Sequence, residues 1–241
     1  MSPSSKSPSD QGASDQGASD PGYTLWAVLR RDPQTSGQRE LSVAQQSEPL
    51  VDAVRSVEES GVVVRGIYDV SGLRADADLM IWLTGATADG LQQSLRTLRR
   101  SAELAPLLPT WNALGVHREA EFSRSHAPAF LRGLPPKAWL TVYPFVRSYD
   151  WYLLPEDERR TMLADHGRMG AAYPQVQTNT VASFALGDYE WILALEADDP
   201  LDLVDLMRHL RGAEARRHVR EEVPFFTGRR LAVDEVAEVI A

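Results

Sequence analysis

The sequence predicts an α+β fold built from two ferredoxin-like halves, in the manner of a dimeric α+β barrel with two antiparallel sheets packed face to face. Three observations predict it. Strand-like and helix-like segments follow one another in the order β-α-β-β-α, twice. The segment Tyr68–Arg100 can be laid beside Ser183–Arg211, each reading strand, turn, acidic residue, aromatic strand, polar cap, helix. No Gly-x-Gly-x-x-Gly turn is present, which argues against a doubly wound nucleotide fold.

Residues 1–22 are Ser, Asp, Gly, Pro and Gln with almost nothing apolar, and the unit SDQGA repeats in tandem at Ser9–Ala13 and Ser14–Ala18. Such a stretch cannot bury enough surface to offset its ordering entropy, so a disordered extension is expected. Tyr23–Leu29 is aromatic and β-branched, as in a strand. Ser47–Ser60 places Leu50, Val51, Val54 and Val57 at helical spacing, and Gly61 ends it. Val62–Val70 and Asp78–Thr84 read as strands. Thr87 is a natural cap for a helix to Arg100 with Leu91, Leu95 and Leu98 on one face. Pro106–Pro136, rich in Pro and Gly, reads as a long connection of a length that is uncommon unless it serves function.

The plan then repeats. Ala138–Ser148 is a strand, Glu156–Arg168 a helix, Thr178–Leu186 and Tyr189–Glu196 strands, and Pro200–Arg217 a helix. Pro224–Gly228 is apolar enough to dock on the body, and Leu231–Ile240 is a short helix candidate. The organisation expected is an extension (1–22), an N-terminal half (23–118), a connecting loop (119–137) and a C-terminal half (138–241) holding the candidate pocket.

Composition excludes several classes. There is no cysteine, hence no disulfide, thiolate metal site or Cys nucleophile, which fits a cytoplasmic protein. The net charge of -9 argues against nucleic acid as a partner. No apolar run is long enough to span a bilayer. Lysine occurs only at Lys6 and Lys137, so the cations are almost all arginine, the better clamp for carboxylates.

Period two puts Tyr143, Phe145, Arg147 and Tyr149 on one face of their strand, aromatic with a fixed cation. That face is either an ordinary amphipathic strand with Arg147 in a salt bridge, or a wall holding an aromatic plane and a carboxylate. His166 shares a helical stripe with Met162 and Met169, followed by Gly167 and Gly170. It is either a core histidine or an axial ligand for a haem-type iron, with the glycines letting a flat group approach. His126, in SHAPAF on the long connection, suits a proton-handling base if that connection folds over a cavity. His117, His209 and His218 read as surface or structural. Arg211, Arg216, Arg217 and Arg220 offer further carboxylate contacts or a solvated helix face.

Several long blocks recur in order: VVVRGIYDVSGLRADADLMIW, YPFVRSYDWYLLP, the His166-Gly167 pair, NTVASFALGDYEWILALEADDP and MRHLRGAEARRHVREEVPFFTGRR. Through these the sequence closely resembles the coproheme decarboxylases of the chlorite-dismutase-like superfamily, in its actinobacterial-type branch. The resemblance covers nearly everything after Gly22. It implies hydrogen-peroxide-dependent decarboxylation of two propionates of iron-coproporphyrin III (coproheme) to vinyls, giving haem b as the last step of coproporphyrin-dependent haem synthesis. It implies His166 as the iron ligand, Tyr143 as the catalytic tyrosine and His126 as the distal base. It places Arg147, Ser148, Phe145, Trp151, Thr178, Arg211 and Arg216 around the substrate. A homopentamer and a transient contact with coproporphyrin ferrochelatase are also implied. The distal arginine of chlorite decomposition has no match here. The competing readings are a non-catalytic haem-binding or haem-delivery protein of the same fold, and a cofactor-free ferredoxin-like monooxygenase or structural module.

Overall fold

The structure is a computed structural model that describes residues 22–34, 48–118 and 127–241. The expected disorder of residues 1–21 and the candidate base His126 fall outside the described residues.

The N-terminal half comprises β1 (Tyr23–Arg30), α1 (Leu50–Glu59), β2 (Val63–Asp69), β3 (Leu79–Gly85), α2 (Ala88–Leu98) and β4 (Leu108–Val116). The C-terminal half comprises β5 (Trp139–Arg147), α3 (Glu156–Gly170), β6 (Gln177–Ala182), β7 (Trp191–Ala197), α4 (Pro200–Leu210), β8 (Val219–Glu221), β9 (Phe226–Leu231) and a short α5 (Val236–Val239). Thr87 caps α2 by accepting from Gly90 N, and Asp199 caps α4 by accepting from Leu201 N, with Pro200 opening that helix.

Three expectations need correction. The connection from Pro106 contains a full strand, β4, paired along β1; the register slips between Val28 and Leu29, where Pro109 stands opposite Leu29. A bulge absorbs the proline, which the sequence reading took as a break. The helix from Pro200 stops at Leu210, with Arg211 and then Gly212 following it, and a 3-10 turn spans Glu214–His218. The tail around Phe226 is a strand, β9, paired with both β2 and β5.

The sheet order is β7-β6-β4-β1-β3-β2-β9-β5-β8, and β5 also pairs with β7, so the two half-sheets close on one another. The seams are narrow. At one, Val116 pairs with Ala182, and a Cβ on Gly115 would stand 2.3 Å from Val181. At the other, a Cβ on Gly228 would stand 2.6 Å from the Asp69 carbonyl. Glycine is required at both for the strands to approach.

The closed interior is filled by Trp26, Tyr68, Met80, Trp82, Val142, Ile192 and Phe226, all buried. The outer face of the N-terminal sheet carries α1 and α2 on a leucine-rich core (Leu29, Leu50, Leu83, Leu91, Leu98). The outer face of the C-terminal sheet is covered differently, and this positions the site.

An ion pair crosses the interior. Arg65 Nη2 and Nε donate to Glu196 Oε1 at 2.6 and 3.2 Å, and Arg65 Nη1 donates to the Leu134 carbonyl at 3.0 Å. Glu196 also accepts from Asn179 Nδ2 at 3.0 Å and from Lys137 N at 3.2 Å. Breaking such a buried pair strands a charge, whereas removing both charges is far better tolerated. Arg65→Met is therefore expected to cost about 3–5 kcal/mol in denaturant unfolding, and Arg65→Met with Glu196→Gln to recover most of it. Equal losses in the single and double variants would contradict this.

Candidate functional site

On β5, Leu140 and Val142 face the interior while Trp139, Tyr143 and Phe145 face outward with Arg147. Register carries that outer face across three strands: Tyr143 stands beside Leu193 and Leu193 beside Thr180; Thr141 stands beside Leu195 and Leu195 beside Thr178; Phe145 stands beside Trp191. At the base the face is packed by α4 through Leu203, Leu206 and Met207. Toward Phe145, Leu193 and Trp191 it is only half-buried, and Thr178 and Thr180 are exposed.

Opposite stands α3, whose 15 residues bury no side chain. Its acidic first turn (Glu156, Asp157, Glu158) and Arg168 near its end suit the helix dipole. Its principal contacts are with α4 and with the 3-10 turn Glu214–His218. Met162, Leu163, His166 and Met169 form a half-buried stripe, and a Cβ added at Gly167 or Gly170 would meet nothing. A helix whose apolar stripe is only half-buried, in the same half as a half-covered strand face, is an arrangement that a flat apolar ligand can complete.

The side chains around this face are specific. The Tyr143 ring stacks on Phe225 with centroids 4.3 Å apart, and its hydroxyl donates to Met207 Sδ at 3.5 Å. Burial pushes the phenol well above its ordinary range, and Glu222 adds to the shift against Arg211 and Arg216. It is therefore a neutral phenol at pH 7. Burial, and then the Arg147 charge, push His166 down from the ordinary imidazole value, against the pull of Asp165 and Glu222. Neutral imidazole is the form that ligates a metal. The guanidinium of Arg147 lies over Phe145 at 4.9 Å and over Trp151 at 4.2 Å, fixed between two rings. Ser148 Oγ is 3.1 Å from His218 Nδ1, and Trp151 is buried with its ring 5.4 Å from the His218 ring. Arg211 and Arg216 both bond Glu222, at 2.6 and 2.7 Å.

The structure thus brings Tyr143, Phe145, Arg147, Ser148, Trp151, His166, Arg211 and Arg216 to one end of the C-terminal half, with Thr178 on the same sheet face two strands away from β5. Trp151 forms the wall beneath Arg147. His218, read as surface or structural, is structural: it holds the end of β5 through Ser148. One residue was missed. Glu222, the common partner of two candidate arginines, was hidden in a run that reads as a solvated charged face; its spacing from Arg216 was the available signal. The connection re-enters the described residues beside Thr178: Ala129 N donates to the Thr178 carbonyl at 3.2 Å, and Phe130 N to Asn179 Oδ1 at 3.0 Å.

The family model for chlorite dismutase matches residues 41–231. The chain belongs to the chlorite dismutase family. A coproheme decarboxylase of Mycolicibacterium smegmatis is 48% identical over 215 residues, covering 89% of this chain and 92% of that protein. A second coproheme decarboxylase, from Staphylococcus carnosus, is 24% identical over 219 residues, covering 84% of this chain and 86% of that one. Among solved structures, chlorite dismutase from Candidatus Nitrospira defluvii in complex with imidazole superposes with a TM-score of 0.75 at 20% identity, over 90% of this chain and 94% of that one. That likeness establishes the family fold.

Proposed function

We propose that this chlorite dismutase family member is a coproheme decarboxylase. It uses hydrogen peroxide to convert two propionates of iron-coproporphyrin III to vinyls, yielding haem b as the closing step of coproporphyrin-dependent haem synthesis. The observation that carries the reading is 48% identity to a coproheme decarboxylase along nearly the whole of both chains. The residues that α3 and the outer face of β5 to β7 bring to one end of this half support the reading: half-buried apolar side chains for a macrocycle, an imidazole, and arginines for carboxylates in a protein of net charge -9.

The residues have separate tasks in this reading. His166 would hold the iron. Arg147, Ser148, Thr178, Arg211 and Arg216 fix the carboxylate arms, and Phe145 and Trp151 flank the ring. The iron, once bound, supplies the oxidising power drawn from peroxide. Tyr143 would pass that oxidation on: its phenoxyl form takes a hydrogen from the propionate arm and returns to the phenol, and transfer of the second electron to the remaining peroxide-derived oxidising equivalent releases CO2 and leaves the vinyl. Each arm consumes one peroxide and yields one CO2 and two waters. Tyr143 suits the task because burial disfavours the phenolate and, among the described residues, a weak sulfur acceptor holds its proton. His126 takes the proton from incoming peroxide. Its replacement by alanine is expected to slow the peroxide step by about 10²–10⁴-fold while leaving substrate binding intact; an unchanged stopped-flow rate would remove it from the role. No helix among the described residues is long and apolar enough to cross a membrane. A cytoplasmic location, a homopentamer and a transient contact with coproporphyrin ferrochelatase complete the proposal.

The test is direct. Purified protein is titrated with iron-coproporphyrin III, peroxide is added, and the pigment is followed by mass spectrometry. Successive loss of two carboxyl groups is expected. A bound porphyrin of unchanged mass would instead indicate a haem-binding or haem-delivery protein.

A further inference from the structure

Both arginines assigned above to the substrate's carboxylates are already engaged by a carboxylate of the protein itself. Glu222 Oε2 accepts from Arg211 Nη1 at 2.6 Å and from Arg216 Nη1 at 2.7 Å. The side chain of Glu222 is 15% exposed, those of Arg211 and Arg216 43% and 38%, so the carboxylate sits inward and the two guanidinium groups reach out from it. This cluster stands at the catalytic phenol. The Tyr143 hydroxyl donates to Met207, whose carbonyl accepts from Arg211 N; the Tyr143 ring stacks on Phe225, three residues beyond Glu222.

We infer that Glu222 is a specificity residue, an internal carboxylate that holds the seat of the reacting propionate whenever that propionate is absent. The inference rests on the decarboxylase reading of the site. Two guanidinium groups under a bound macrocycle are costly if left without an anion. The four-carboxylate substrate supplies one as its arm enters and Glu222 yields. Conversion of that arm to a vinyl removes the anion, and Glu222 reoccupies the pair. The arginines are therefore matched before and after the reaction. Glu222 weakens substrate binding by competing for the seat, and does not compete with a porphyrin that lacks a carboxylate there.

The test is the isosteric substitution Glu222→Gln in the full chain, with iron(III)-coproporphyrin III and haem b each titrated optically without peroxide. The variant is expected to bind iron-coproporphyrin III about tenfold more tightly than wild type, since one charge-assisted competitor is removed. Its affinity should fall more steeply with salt, and its affinity for haem b should change little. In the double variant Glu222→Gln with Arg211→Gln the gain should disappear, which separates competition at the seat from a general effect on the fold; thermal unfolding of each variant checks that it is folded. Unchanged or weaker binding of iron-coproporphyrin III by a folded Glu222→Gln protein would overturn the inference and leave the decarboxylase reading standing. An equal gain for haem b would overturn the specificity claim. Wild-type protein that fails to bind iron-coproporphyrin III at all would overturn the parent reading and this inference with it.

Discussion

Tyr143→Phe is expected to bind iron-coproporphyrin III normally and to form no haem b when peroxide is added. The substitution removes one oxygen and nothing else. The ring keeps its stack on Phe225 and its place against Leu203 and Leu206. Among the described residues the lost hydroxyl bonds Met207 Sδ at 3.5 Å, a weak acceptor, so the stability change should stay below about 1 kcal/mol. Phenylalanine cannot be oxidised by this route, so turnover should fall by about 10³-fold or more, an effect on the chemical step alone. Mass analysis of the pigment and a binding titration on the same preparation separate the two quantities. Haem b formed at the wild-type rate would remove the phenol from the mechanism.

His166→Ala should show the converse pattern, with damage that begins at binding. The helix itself should survive, because α3 buries none of its side chains and alanine is the strongest helix former. Affinity for iron-coproporphyrin III should fall by about 100-fold, and the absorption spectrum of any residual complex should change because the iron has lost its protein ligand. Added imidazole is expected to restore the spectrum, since the space beside Gly167 and Gly170 is open. Wild-type affinity and an unaltered spectrum would show that the iron is held elsewhere.

Much of the fold was legible in the sequence because each half keeps its alternation inside well-marked segments. What escaped was decided by pairing across the chain. The strand β4 carries Pro109 and Gly115, which locally read as breaks; a bulge opposite Leu29 accepts the first, and the seam against Val181 requires the second. Nothing local to Phe226–Leu231 announces that it joins two sheets. The site shows the same division. The outward set Tyr143, Phe145 and Arg147 follows from period two, and the stripe of His166 from helical spacing. How deeply the stripe of α3 is covered was harder to place, because such a helix looks in sequence like any weakly amphipathic helix. The role of Glu222 was not readable either, since a charge run does not reveal which members face each other.

A crystal structure of the protein with iron-coproporphyrin III tests the central claim most directly. The porphyrin should lie between α3 and the outer face of β5 to β7, with its iron bound by His166 and a propionate arm beside the Tyr143 hydroxyl. A porphyrin bound anywhere else, or an iron ligated by another residue, would contradict it.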